Sequence, residues 1–366
     1  MKVAVYLLLL LLSSAGAEHQ AVTKAAARLR SRADVKALRL TPAQLEAFVA
    51  AIPDIDAKSA ARQFAALRRD QDASRTIETT WNELSDPQLD DTTRRVKHLV
   101  MQVAVALART EEAPVGGRTS SKDGRARAKQ LADAALALAP DSADAHNAMG
   151  DILVDTREVE GAEAEYRKAL AASPAKASTH ARLGNALLLD SKFPEAETEL
   201  REAIRLDARS VQAHSDLGLV LRSMDKIPAA IEEYQAALAI DADFIDAHNG
   251  LAVTLASQGR MPDAIVQFRE IVRVDPDSAI GYYNLSYALA DMDQDEASAE
   301  ALREVIRINP NHYNAHYNLG ELFRLEGKFD DSARQFRDYL RLAPETAQTR
   351  RNIGRAKSFI KTFENE

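Results

Sequence analysis

The chain has 366 residues, 46% of them apolar, with 47 Lys and Arg against 55 Asp and Glu for a formal charge of −8. A modest acidic excess of this kind speaks against general binding to nucleic acid or anionic lipid. Cysteine is absent, which excludes disulfides, thiolate metal sites, a cysteine nucleophile and the lipidated cysteine of a bacterial lipoprotein.

At the start, Lys2 precedes an apolar run over 3–12 and the small residues Ser13, Ser14, Ala15, Gly16 and Ala17. That is the layout of a signal peptide over 1–17, with cleavage expected after Ala17. The run is shorter than the roughly 20 apolar residues a spanning helix needs, so no membrane insertion is expected once the signal is removed. The compartment this implies is periplasmic or secreted. Residues 18–90 read as a helical region with no assigned role. Thr41, Pro42 and Gln44 mark a helix start there, Pro53 ends that helix, and Asp56 or Lys58 opens another that runs to about residue 84 past Trp81.

Residues 91–110, with Val96, Leu99, Val100, Val103, Val105 and Leu107, predict a strongly apolar helix. A long loop follows over 111–124, carrying Pro114, Gly116 and Gly117. Residues 125–139 place Ala128 and Ala135 in phase with what comes after, so 91–142 reads as a degenerate first repeat. From 143 the chain is regular. A large apolar residue and then a small one recur every 34 residues, as Met149-Gly150, Leu183-Gly184, Leu217-Gly218, Leu251-Ala252, Leu285-Ser286, Leu319-Gly320 and Ile353-Gly354. Fixed self-similarity at this period describes a stack of identical supersecondary units, none able to bury its apolar face alone. Six blocks fill 143–346, each predicted as two helices. Their second helices repeat Ala162, Ala196, Ala230, Ala264, Ser298 and Ser332. One turn further along the same face come Tyr166, Leu200, Tyr234, Phe268, Leu302 and Phe336. A C-terminal capping helix closes the chain over 347–366, rich in Arg and Lys. The small residues allow close packing, and the glycines cost about 1 kcal/mol of helix propensity each, which that packing must outweigh.

The spacing of Ala145, Met149-Gly150, Ala162, Tyr166, Ala169 and Pro174 resembles the tetratricopeptide repeat, and Ala315-His316-Tyr317-Asn318-Leu319-Gly320 is close to that family's first-helix pattern. The resemblance covers about 125–363. Block 279–312 departs most, with Ser286 and Ser298 at the small positions and Asp295 at a turn position that is usually apolar. What the family implies is an all-α, right-handed superhelical solenoid of antiparallel helix pairs that binds a protein or extended peptide in its concave face, without catalysis. Chaperone-binding members clamp a carboxyl terminus with Lys and Asn, and Asn147, Asp151 and Arg182 do not reproduce that pattern. No nucleophile elbow, zinc-protease motif or dinucleotide turn occurs, so no enzyme is expected, and no cofactor.

His146, His180, His214, His248 and His316 share one block position, but equivalent helices lie roughly 10 Å apart while metal ligands sit about 2 Å from the metal, so packing is expected and no metal site. Asp291, Asp293 and Asp295 open like a calcium loop, yet Glu296 stands where Gly is needed and Leu302 where a bidentate Glu belongs. Gly116-Gly117-Arg118-Thr119-Ser120-Ser121-Lys122 lacks the Gly-Lys-Ser/Thr ending of a phosphate loop. The family's concave face is lined by first helices, which here offers Tyr283, Asn284, Tyr287, Tyr317, Asn318, Arg324, Arg351, Asn352 and Arg355 as partner-binding residues. Asn284, Asn318 and Asn352, 34 residues apart, are expected to form a ladder toward peptide amides. Leu188, Leu189, Leu219 and Val253 offer a more apolar stretch upstream. The reading is a scaffold or adaptor in the cell envelope. A self-associating stalk, or an accessory subunit of an envelope enzyme or export complex, is the alternative.

Overall fold

The computed structural model describes residues 89–107, 111–112, 118–119 and 122–363. The expected signal segment over 1–17 and all but the last two residues of the expected helical region over 18–90, Trp81 included, lie outside the described residues. Among them the chain forms fifteen helices and one minimal hairpin, and it divides into two compact units that meet in sequence at Ser210 and Val211.

The first unit holds α1 (Asp91–Leu107), β1 (Glu111–Glu112) paired antiparallel with β2 (Arg118–Thr119), α2 (Lys122–Leu138), α3 (Ala143–Asp155), α4 (Val159–Ala172), α5 (Ala177–Leu189) and α6 (Phe193–Leu206). The expected 111–124 loop is therefore shorter, because two residue pairs zip into a hairpin and α2 begins at Lys122. Val96, Val100 and Val103 of α1, Leu131 and Ala135 of α2, and Met149 and Ile152 of α3 form one buried cluster. The two helices pack on each other and both pack on α3.

The second unit holds α7 (Val211–Ser223), α8 (Ile227–Ile240), α9 (Ile245–Ser257), α10 (Met261–Val274), α11 (Ala279–Asp291), α12 (Asp295–Ile308), α13 (Tyr313–Leu325), α14 (Phe329–Leu342) and α15 (Arg350–Phe363). In both units each first helix packs along the second helix that follows it, and each second helix packs on the next first helix. No described helix is long and apolar enough to cross a membrane.

In the six complete repeats each first helix ends the same way. Two residues past it, Arg157, Ser191, Asp225, Gly259, Asp293 and Gly327 all take φ between 55 and 72°. The next N–H then bonds the carbonyl five residues back, as Glu158 to Leu153 at 2.8 Å and Lys328 to Phe323 at 2.8 Å. These are left-handed caps that satisfy the orphan carbonyls of the last turn. Glycine marks only two of the six, so the sequence announces the device incompletely.

The small positions receive the large residues of the second helices. A methyl added at Gly218 would come within 2.8 Å of the Tyr234 ring, and one at Gly320 within 2.9 Å of Phe336. The departing block absorbs its serines through hydrogen bonds. Ser298 Oγ donates to the Ser286 carbonyl at 2.8 Å, as Ser332 Oγ does to the Gly320 carbonyl at 2.8 Å.

One ion cluster staples the start of the first unit. Lys97 Nζ lies 2.6 Å from Asp144, and Lys176 pairs with the same carboxylate. Burial alone would raise the Asp144 carboxyl, but Lys176 and Lys97 outweigh it and hold it below its ordinary 3.8. A carboxylate whose pKa falls on folding contributes stability that is complete above its unfolded value and lost as pH drops through the folded one. Asp144→Asn should lower stability by roughly 1–3 kcal/mol at neutral pH and flatten its decline below about pH 4. Thermal melts across that range check both.

Candidate binding face

The histidine column is a set of structural staples. His146, His180 and His214 place Nδ1 at 2.6–2.7 Å from Glu165, Glu199 and Glu233 on the following second helix. His248 and His316 meet Gln267 and Gln335 in the same way, each at 2.8 Å. In four of them Nε2 also bonds a carbonyl six residues back: Pro140, Pro174, Ala242 and Pro310. Each ring thus ties its own helix start to its partner helix. Burial pushes the Glu165 carboxyl up, but Lys168 and His146 bring it below the ordinary carboxylate value. His180→Ala would strip Glu199 of this bond and should cost about 1–3 kcal/mol. Added zinc should leave the melting temperature unchanged. A zinc-dependent rise abolished by His180→Ala or His214→Ala would contradict this assignment.

In the first unit the first-helix face carries a polar track that the sequence reading did not foresee. Tyr166 Oη donates to Asp151 at 2.9 Å, and Arg182 Nε meets both Asp151 oxygens at 2.9 and 3.2 Å. Asn147 Nδ2 donates to Thr179 Oγ1 at 2.8 Å. Burial and then the Asp151 charge push the Tyr166 hydroxyl well above its ordinary pKa. Asn147, Asp151 and Arg182 therefore hold α3, α4 and α5 together. The signal was present in the sequence as an acid and an arginine 31 residues apart, close to one repeat. Leu189 is exposed beside this track, and Leu188 is half-buried.

In the second unit the corresponding face runs over α9, α11, α13 and α15. Asn284 Nδ2 donates to Asn249 Oδ1 at 3.3 Å, linking α11 to α9. Asn318 Nδ2 donates to Tyr283 Oη at 3.2 Å, linking α13 to α11. The Tyr283 ring lies against His312, centroids 4.8 Å apart. Burial raises the Tyr283 hydroxyl, while its bond from Asn318 acts the other way. Tyr287 stands 68% exposed one turn along α11 from Tyr283. Leu219 and Val253 are half-buried.

Asn284 and Asn318 each reach back 35 residues, to Asn249 and Tyr283, while Asn352 makes no side-chain hydrogen bond among the described residues. Two expectations about this face are corrected. Tyr317 is no surface anchor. It is 7% exposed, with its ring 5.7 Å from Phe336 and 5.0 Å from Tyr339, where two large rings of α14 draw it into the core. Arg324 is half-exposed and paired with Glu321 at 2.9 Å, which reduces its charge toward a partner. Arg351 and Arg355 are exposed. Tyr283, Asn284, Tyr287 and Asn318 are brought together.

Residues 218–259 match the family model described as TPR repeat, and 123–177, 249–308 and 283–347 match the tetratricopeptide repeat model. The chain belongs to the tetratricopeptide repeat (TPR) family. No curated protein matches it in sequence. Among solved structures, PilF of Pseudomonas aeruginosa is 16% identical over 61% of this chain and 96% of its own, with a TM-score of 0.50. A chain of the APC/C hetero-tetramer Cut9–Hcn1 is 15% identical over 90% of this TPR chain and 65% of its own, at a TM-score of 0.57. YrrB, described as a TPR protein with an unusual peptide-binding site, is 25% identical over 50% of this chain and 95% of its own, at 0.38. The likeness to PilF and Cut9–Hcn1 is one of fold alone. TPR repeat proteins are generally non-catalytic binding scaffolds.

Proposed function

We propose that this chain is a non-catalytic scaffold of the cell envelope that holds an extended segment of a partner protein on the first-helix face of its second unit. The observation that carries this reading is the meeting of Tyr283, Asn284, Asn318 and exposed Tyr287 on that face. The amides of Asn284 and Asn318 keep donor and acceptor capacity beyond the bonds they make to Asn249 and Tyr283, enough to contact a peptide backbone without regard to its side chains. Tyr287 supplies a flat amphipathic anchor of the type enriched at binding hot spots. Arg351 and Arg355 favour a segment with acidic side chains or a free carboxylate, and such binding should weaken with salt, since exposed charges are screened within about 8 Å at physiological ionic strength. Export rests on the signal layout of residues 1–17. N-terminal sequencing should find the mature chain beginning at Glu18, and an intact Met1 on cytoplasmic protein would contradict it.

The face itself is tested by placing a photo-crosslinking side chain at position 287 in cells, and at exposed Val266 on the second helix α10 as control. The account expects a discrete partner crosslinked from 287 and not from 266. Equal capture from both positions, or none from 287, would contradict it.

A further inference from the structure

The first unit holds a tyrosine, an acid and an arginine together, and the second unit presents the tyrosine and the arginine without the acid. In the block 143–176 the ninth residue, Asp151, accepts from Tyr166, the twenty-fourth, at 2.9 Å and meets Arg182 Nε at 2.9 Å. In the block 313–346 the ninth residue is Glu321. It takes Nε and Nη2 of Arg324, the twelfth, at 3.3 and 2.9 Å. The block 211–244 lies wholly in the second unit and carries both kinds of donor, Arg222 of α7 as twelfth residue and Tyr234 of α8 as twenty-fourth. Its ninth residue is Leu219.

Both donors therefore lack the acceptor that their equivalents use. Tyr234 is 1% exposed and its hydroxyl makes no hydrogen bond, although Arg222 and Thr254 are close enough to act on it. The Thr254 hydroxyl donates elsewhere, to the Gly250 carbonyl at 2.6 Å. Arg222 Nε is also shut from solvent without a hydrogen bond, and Arg222 has no ion pair among the described residues. Burial pushes the Tyr234 hydroxyl up to about 12, which keeps it protonated and able to donate at neutral pH. Asp216, which accepts from Gln212 at 3.0 Å, brings an opposing charge, but Arg222 acts on Tyr234 more strongly than Asp216 does. Buried polar groups are ordinarily bonded, so two unbonded donors this close call for an acceptor from outside. Leu219 and Val253, the ninth residues of successive blocks on α7 and α9, are apolar and half-buried.

We infer that Arg222 and the Tyr234 hydroxyl bind an acidic side chain of a partner segment, whose carboxylate does what Asp151 and Glu321 do in their own blocks. A guanidinium pairs such a group through parallel N–H donors, and the phenol adds a third bond. The inference rests on the reading that a segment lies on the first-helix face of the second unit. It gives that segment an Asp or Glu next to an apolar residue, which covers Leu219 and Val253. Because the donors are buried, the carboxylate must reach them on a side-chain stem.

The probe is an end-capped Leu-Glu dipeptide titrated into full-length protein labelled with nitrogen-15. The readout is the Arg222 Nε–H resonance, assigned by its loss in Arg222→Lys. A saturable shift is expected. An end-capped Leu-Gln dipeptide should bind at least tenfold more weakly. Acetyl-Leu-Gly, whose one carboxylate sits on the backbone, should bind at least threefold more weakly. Tyr234→Phe should weaken Leu-Glu at least threefold yet melt no lower than wild type without peptide, since the hydroxyl has no bond to lose. Leu219→Glu supplies the acid from within, as Glu321 does, and should abolish binding with helical circular dichroism unchanged. No saturable shift, equal affinity for Leu-Glu and Leu-Gln, or binding that survives Leu219→Glu would overturn the inference. Tighter binding of acetyl-Leu-Gly would assign the site to a chain terminus, and displacement by equimolar inorganic phosphate would make it a general anion site, and each would overturn it too. Tyr287→Ala should leave the shift unchanged. A shift without crosslinking from position 287 would thus overturn the proposed function alone, and crosslinking without a shift this inference alone.

Discussion

Tyr317→Ala should destabilise the protein by about 3–5 kcal/mol, whereas Tyr287→Ala should change stability by less than about 0.5 kcal/mol. Both tyrosines lie on first helices of the second unit, and sequence alone treats them alike. Tyr317 sits in contact with Phe336 and Tyr339 in the cluster that α15 closes through Ile353 and Ala356. Truncation removes a ring from Phe336 and Tyr339 at once and leaves a cavity in the cluster. Tyr287 projects into solvent and touches no such cluster. Its loss should instead remove on the order of 2 kcal/mol of partner binding if it is a hot spot. Chemical denaturation of both variants checks the contrast. Equal stability losses would show that the core and surface assignments are wrong.

Gly250→Ala should cost about 1–3 kcal/mol even though alanine is the better helix former. Gly250 is half-buried within α9, and its added methyl would run into Cε1 and Cζ of the Tyr234 ring. That ring also packs against Gly218, where a methyl would come within 2.8 Å. Tyr234 is 1% exposed, so it has no free direction in which to yield. Gly354→Ala is the internal control. With nothing within 4 Å of the new methyl, it should stabilise by roughly 0.5–1 kcal/mol through helix propensity. Opposite signs at two glycines of the same helix type would confirm that packing, and not backbone conformation, retains Gly250. A stabilising Gly250→Ala would contradict the packing shown around Tyr234.

The 34-residue recurrence of Met149-Gly150 and its echoes made the helix pairs legible, because burial of a large residue against a small one must repeat wherever the unit repeats. The histidine staples were half-legible: their column was visible, but their Glu and Gln partners 19 residues on belong to a different helix face. Tyr317 was misread because block position fixes direction, not depth. The same position holds half-buried Tyr283 where its second helix offers Leu302 and Val305, and buried Tyr317 where it offers Phe336 and Tyr339. Pairwise bonds between first helices, such as Asn318 to Tyr283, depend on a 35-residue offset that a 34-residue comparison skips. The positive-φ caps escaped because Arg157, Ser191, Asp225 and Asp293 occupy a conformation that glycine normally advertises.

The central claim is that the Tyr283, Asn284, Tyr287 and Asn318 face binds an extended segment. Its most direct test is the affinity of peptides selected from a random displayed library against the full-length protein, measured on the wild type and on Asn284→Ala/Tyr287→Ala/Arg351→Ala. The account predicts selected peptides that pair an acidic residue or free carboxylate with an apolar side chain. Their affinity should fall at least tenfold on the triple variant, with helical circular dichroism unchanged. Peptides that bind the triple variant as tightly as the wild type would contradict it.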